Sequence, residues 1–444
     1  MILRKRGALG FLILLVAVLA LAAAGCGGDD DDGGDGGGGG GGAVEALPSA
    51  SCGPIRQGEE EPDALIASDF PLQGANRSLT TEMADAIEYM LEQQDWKAGD
   101  TVLGYQSCDD STAQAGSWDS AKCSSNGRAY ANNPSVVGII GTFNSGCAKL
   151  VIPIANRESL AMVSPANTYP GLTEGGPGTE AGEPDNYYPS GTRNYARVVW
   201  NDQFQGAANA LLAQELGLKM IFVLNDSETY GLGIATLFSQ YAEKVGIQIL
   251  GNQKWDKKAS SYESLASRIQ AAGADAVFLG GIVCNNGGKL IKDLRAGLGP
   301  DVQIIGPDGW TPISATIEGA GAAANNMYIT QPGIPVDQLT GPGKEFVDAF
   351  QQEYSKAPNP YTVYAAQAAV VLADAIERAG GTDRAKVSEE LFKTDSTDGI
   401  LGDFQIDENG DTTLGEVSVY QIKNGKETFT KTITPELSFV EGSS

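Results

Sequence analysis

The strongest constraint in this chain is a strand-and-helix alternation that runs twice. Ala64–Ala67, Thr101–Tyr105, Val136–Ile140 and Leu160–Val163 are short apolar runs bounded by turn residues. Between the first two, Leu79, Met83, Ile87, Met90 and Leu91 recur at helical spacing. Helical stretches ending near Tyr130 and at Asn156 complete the first set. A second set follows: strands Met220–Leu224, Ile247–Leu250, Ala276–Leu279, Val302–Ile305 and Met327–Thr330, separated by helices 203–216, 230–245, 261–272 and 286–298. Uniformly apolar strands alternating with amphipathic helices predict parallel sheets covered on both faces. The fold class is therefore α/β, with two doubly wound lobes. Gly171–Gly191, rich in Gly, Pro and Glu, reads as an exposed insertion between the sets. Helices near 342–354, 361–379 and 386–392 follow, then strands 403–406, 416–422 and 428–432. Asp407–Asp411 is predicted to join the first two of these strands as a hairpin turn. A Ca2+ loop there is disfavoured, because Thr412 stands where a Gly is required.

Ligands of such sheets sit beyond the carboxyl ends of the strands. The loops there are 68–76, 106–110, 141–147, 164–172, 225–233, 280–288 and 306–311. None carries a phosphate-loop, dinucleotide or nucleophile-elbow motif, so no cofactor is implied. The chain has no His, which removes every His general base and His metal ligand. Residues 43–444 keep 27 basic against 51 acidic groups, a charge that repels nucleic acid. The reading is a binder, not an enzyme.

The N-terminus reads as an address. Arg4, Lys5 and Arg6 precede the uncharged stretch Ala8–Ala24, which ends in Ala23-Ala24-Gly25-Cys26. That tetrapeptide resembles the bacterial lipobox, with Ala23 where Leu is commoner. It makes residues 1–25 a signal peptide and Cys26 the lipidation site. Gly27–Gly42, nearly all Gly and Asp, cannot bury apolar surface. Residues 26–61 are thus expected to tether an extracytoplasmic domain to a membrane without spanning it. Five further cysteines remain: Cys52, Cys108, Cys123, Cys147 and Cys284. Outside the cytoplasm they favour disulfides, one must stay unpaired, and at least one bridge is expected within the Cys108–Cys123–Cys147 group. Spacing leaves the connectivity open.

Four loop motifs occur in order: Gly141-Thr142-Phe143-Asn144-Ser145-Gly146, Ser164-Pro165-Ala166-Asn167-Thr168-Tyr169-Pro170, Tyr230-Gly231-Leu232-Gly233 and Gly306-Pro307-Asp308-Gly309. Arg197, Asp202 and Gln205-Gly206 lie between the second and third. Together they resemble the leucine/isoleucine/valine-binding protein family, the type I periplasmic binding proteins of ABC importers, over about residues 62–435. The resemblance implies a Venus-flytrap of two lobes joined by three crossover strands near 198–202, 330–332 and 399–402. The N-lobe would be 62–200 plus 332–400, the C-lobe 201–331 plus 401–435. It implies a monomer that delivers a small ligand, an amino acid of branched-chain or similar type, to an ABC permease. Ser145 and Thr168 would hold the ligand carboxylate beside Asn167, and the Ala166 carbonyl would accept from the ammonium. Tyr230 would close over the ligand, and Asp308 would face its ammonium. Ile282 replaces an aromatic in the pocket wall, which unsettles branched-chain specificity. Turn and capping chemistry offer plainer roles for Ser145, Thr168 and Asp308. A ligand-sensing receptor of the same fold, taking an amide, urea or small organic acid without transport, is the alternative.

Overall fold

The computed structural model describes residues 43–440, so the predicted signal peptide, Cys26 and the glycine-rich start of the predicted 26–61 tether lie outside the described residues; residues 43–61 are no tether but dock on the first sheet, with Leu47 buried and Cys52 bonded to Cys108. Two mixed sheets carry the fold. The first runs Lys97–Ala98, Thr101–Asp109, Ala64–Phe70, Val136–Gly141, Ala161–Ser164, Tyr195–Arg197. The second runs Gln248–Lys254, Met220–Asn225, Ala276–Gly280, Gln303–Gly306, Met327–Pro332, Val417–Lys423, Lys426–Ile433. If each sheet's five parallel strands are numbered along the chain, both read 2-1-3-4-5. Lys97–Ala98 and the last two strands of the second sheet are antiparallel additions.

Burial explains the apolar runs. Every residue of Ala64–Phe70, Val136–Gly141 and Ala276–Gly280 is buried, because helices cover both sheet faces. In the helix Arg77–Gln93 the predicted stripe is buried at Leu79, Met83, Ile87 and Leu91, and Met90 is partly buried against the same core. Each such side chain contributes about 1.5–3 kcal/mol relative to exposure. This helix packs on Pro360–Ala379, so a late segment returns to the first sheet. The core runs from Leu47 to Val440, so residues 43–440 hold their own hydrophobic interior. Among the described residues no helix is long and apolar enough to cross a membrane.

Two further expectations need correction. Asp407–Asp411 is a tight turn, with the Asp407 amide donating to the Asp411 carbonyl at 2.8 Å. It closes a one-bridge antiparallel hairpin, Ile406 against Thr412, but the two strands predicted to pair across it do not. Gly402–Gln405 pairs with Asp395–Gly399, while Val417–Lys423 lies between Met327–Pro332 and Lys426–Ile433. The turn is instead anchored to the first sheet, where buried Arg197 donates through Nε to the Asp411 carboxylate at 2.5 Å. Nor is the 171–191 insertion simply exposed. Leu172, Tyr187 and Tyr188 are buried against the helix Ser145–Arg157 and its neighbours. Glu183 accepts from the Tyr169 and Tyr187 hydroxyls and pairs with Lys149. Aromatic residues hidden within a Gly-rich composition dock this segment.

The cysteines pair as Cys52–Cys108 and Cys123–Cys147, which supplies the bridge expected within the central group. Cys284 is the unpaired one.

Candidate functional site

A narrow cavity, of about 30 Å3, opens between the carboxyl ends of the two sheets. Its wall on the first sheet is built by two loops. The strand Val136–Gly141 leads into Thr142–Asn144, and the helix Ser145–Arg157 begins there. The strand Ala161–Ser164 leads into Pro165–Tyr169. The Ser164 hydroxyl accepts from the Ala166 amide at 3.1 Å and the Asn167 amide at 2.8 Å, which folds the second loop back. Phe143, Ser145, Ala166 and Thr168 all line the cavity. Ser145 is not the helix cap, since Asn144 holds that position. Its hydroxyl lies 3.4 Å from the Tyr169 amide, at a helix N-terminus that favours anions.

The opposite wall comes from the second sheet. Tyr230 opens the helix Thr229–Lys244, Ile282 follows the strand Ala276–Gly280, and Asp308 follows Gln303–Gly306. All three line the cavity. Gly309 must be glycine here, because a Cβ would stand 2.4 Å from the Gly281 carbonyl oxygen and 2.7 Å from the Tyr230 ring.

Asp308 is the hub. Its Oδ1 accepts from the Tyr230 hydroxyl and from Gln205 Nε2 at 2.7 Å, and its Oδ2 accepts from the Tyr361 hydroxyl. Tyr361 belongs to the helix that packs on the first sheet, so this carboxylate joins both sides of the cleft. Gln205 Nε2 also donates to Asp202 Oδ1 at 3.1 Å. Burial raises the Asp308 pKa against the opposing effect of the tyrosine and Gln205 bonds. Burial, then the Asp308 charge, raises Asp202 well above the usual carboxylate range. Burial and the neighbouring carboxylates also hold the Tyr230 and Tyr361 phenols neutral. The result is a hydroxyl-rich, acid-bearing wall facing a wall of neutral groups.

Six of the seven predicted ligand-binding residues meet at this cavity. Asn167 does not line it. Its Nδ2 donates to the Phe143 carbonyl at 3.0 Å, so the side chain braces the two loops instead. Tyr361 and Phe143 are lining residues that sequence reasoning missed. Tyr361 follows Asn359-Pro360, a helix-start signal, and that position was its only clue. Asp226 was also missed. It accepts from the Ile282 amide at 3.1 Å and from Asn285 Nδ2 at 2.7 Å, which fixes the altered wall. Burial pushes it up to about 6 against those bonds.

Comparison with known proteins gives a consistent picture. The model of a family described as periplasmic binding protein matches residues 70–427. A leucine-, isoleucine-, valine-, threonine- and alanine-binding protein of Pseudomonas aeruginosa is 27% identical over 290 residues, covering 65% of this chain and 72% of that protein. The crystal structure of a leucine-binding protein, LivK, from Thermotoga maritima superposes with a TM-score of 0.73 at 26% identity, covering 84% of this chain and 99% of that one. A solute-binding protein of R. palustris in complex with benzoate shares the fold, with a TM-score of 0.69 at 17% identity, covering 84% and 96%.

Proposed function

Because the chain belongs to the periplasmic binding protein family, we propose that it is the substrate-binding lipoprotein of an ABC importer, anchored through Cys26 outside the cytoplasm. Its ligand is a free amino acid of branched-chain or similar type. The supporting observation is the polarity of the cleft. Neutral hydroxyl and amide groups at Ser145 and Thr168, beside a helix start, suit a carboxylate. Asp308 and the Ala166 carbonyl suit an ammonium on the other side. Ile282 and Phe143 then receive the side chain. The relatives above include amino-acid binders, which supports the same class.

Ligand contacts made by both lobes favour the closed arrangement by differential affinity, and the closed form is what a permease reads. The lobes divide as 62–200 plus 332–400 and 201–331 plus 401–435, with one adjustment. Phe404 and Ile406 pack in the core of the first sheet, which supports a third crossing at 412–416 rather than at 399–402. Substrate binding and release need no catalytic group.

Thermal shift of residues 43–444 against amino acids, amides and small acids, followed by calorimetry, tests this reading. Leucine, isoleucine or valine should raise the melting temperature, with about 2.7 kcal/mol of stabilisation at a hundredfold excess over Kd. A response to urea, short amides or aromatic acids alone overturns the amino-acid assignment.

A further inference from the structure

The chain crosses between the two sheets at segments that meet around one backbone carbonyl. The Glu416 oxygen accepts from Trp200 Nε1 at 2.7 Å and from the Gly333 amide at 2.9 Å. Ser418 Oγ donates back to the Gly333 carbonyl at 2.5 Å. Trp200 follows the last strand of the first sheet, Gly333 follows Met327–Pro332, and Glu416 precedes Val417–Lys423. Any change in the angle between the lobes has to pass through this knot.

Against it lies a second cavity, of about 240 Å3, which shares no lining residue with the Asp308 cavity. Most of its wall is apolar: Pro332, Ile334, Leu339, Val363, Leu401 and Leu414. Its charged lining residues are Asp403, whose carboxylate accepts from the Asp398 amide at 2.8 Å, and Glu416, whose carboxylate accepts from the Gly415 amide at 3.3 Å, with no Lys or Arg in the lining. The Tyr364 hydroxyl lies beside Gly333. A Cβ there would come within 2.8 Å of it, at a backbone φ of +74° that already favours glycine. The site is thus an apolar pocket with a phenol and two acids, a chemistry that fits an alkyl chain ending in a cation and disfavours an anion.

We propose that this hinge cavity is a second ligand site, for a small alkylammonium-type molecule, and that its occupancy shifts the balance between open and closed lobes. Its walls come from two of the crossing segments, so they move when the lobes do. A molecule bound there has different contacts in the two states and shifts them accordingly. By linkage, a cleft ligand changes affinity at the hinge by the same factor. The coupling rests on the lobe-closure reading above; the binding site itself does not.

The test uses calorimetry on residues 43–444 with n-hexylammonium, n-hexanoate as the anionic control, and leucine. Hexylammonium should bind saturably at one site, with hexanoate at least about tenfold weaker, a difference of about 1.4 kcal/mol. Leu414→Trp, which fills the cavity, and Glu416→Gln, which removes a carboxylate, should each weaken it about tenfold while leucine still binds. Saturating hexylammonium should change leucine affinity by about fivefold or more. Absent or unsaturable binding overturns the site, as does equal binding of hexanoate or unchanged binding in both variants. Hexylammonium binding that leaves leucine affinity unchanged overturns the coupling. Hexylammonium binding without any leucine binding supports the site and counts against the amino-acid reading.

Discussion

The sheet that carries Ser145 and the sheet that carries Asp308 have the same winding order, yet they bring opposite chemistry to the cleft. The first presents Ser145, Ala166 and Thr168 at a helix start and a folded-back loop. The second presents Asp308, with Asp202 sharing the Gln205 amide between two buried carboxylates. Topology determines where strand ends point, and side-chain identity decides which end of a zwitterion each edge can face. The lobes also differ in how they are braced. Both disulfides lie in the first, whereas the second relies on apolar packing such as the stacked Phe238–Phe278 pair.

The largest expected effect breaks the charge asymmetry. Asp308→Asn should lower leucine affinity by 2–5 kcal/mol, about thirtyfold or more, because the ligand ammonium loses its buried counter-charge. Ser145→Ala removes one neutral contact and should cost about 1 kcal/mol. Calorimetry on both variants measures the contrast, and equal losses would dissolve it.

The first lobe also carries a buried titratable pair away from the cleft. Asp69 and Asp110, both fully buried in the first lobe, have raised pKa values, Asp69 up to about 7, chiefly through burial. Both Asp110 carboxylate oxygens and Asp69 Oδ2 have no hydrogen-bond partner among the described residues. A carboxyl that holds its proton more tightly when folded stabilises the fold at low pH. That stability is lost as pH rises from about 4 to about 7. The loss is up to about 4 kcal/mol at 1.36 kcal/mol per pH unit. Asp69→Asn should flatten this slope in denaturant titrations across that range. An unchanged slope would place the proton elsewhere.

The bracing difference predicts an effect on stability. Replacing Cys123 and Cys147 by Ser should cost about 3 kcal/mol, with faster amide exchange confined to the first lobe. Exchange that rises equally in the second lobe would show that the lobes do not differ in this way.

Much of the fold was legible because its strands are buried on both faces and therefore uniformly apolar. Val136–Ile140 and Ala276–Leu279 were each found to within one residue. Tyr195–Arg197 and Asp395–Gly399 were not, since three residues show no period and Asp-Ser-Thr-Asp-Gly has no apolar face. Of the site, the loop residues were legible through their order along the chain. Tyr361 was not, because it reads as one more aromatic of an amphipathic helix until that helix returns to the cleft. Asn167 was misplaced for the converse reason. It sits within a ligand loop, but its amide satisfies the Phe143 carbonyl across the wall.

By itself the sequence determined the α/β class, the absence of His chemistry, the order of the cleft loops and the presence of one odd cysteine. These follow from local periodicity and from counting, which need no knowledge of distant neighbours. Only the tertiary structure decided which cysteines pair, that Asp411 belongs to Arg197, and that Asp308 answers to tyrosines from both sides of the cleft. Each of these is a contact between residues separated along the chain, set only when the chain folds back on itself.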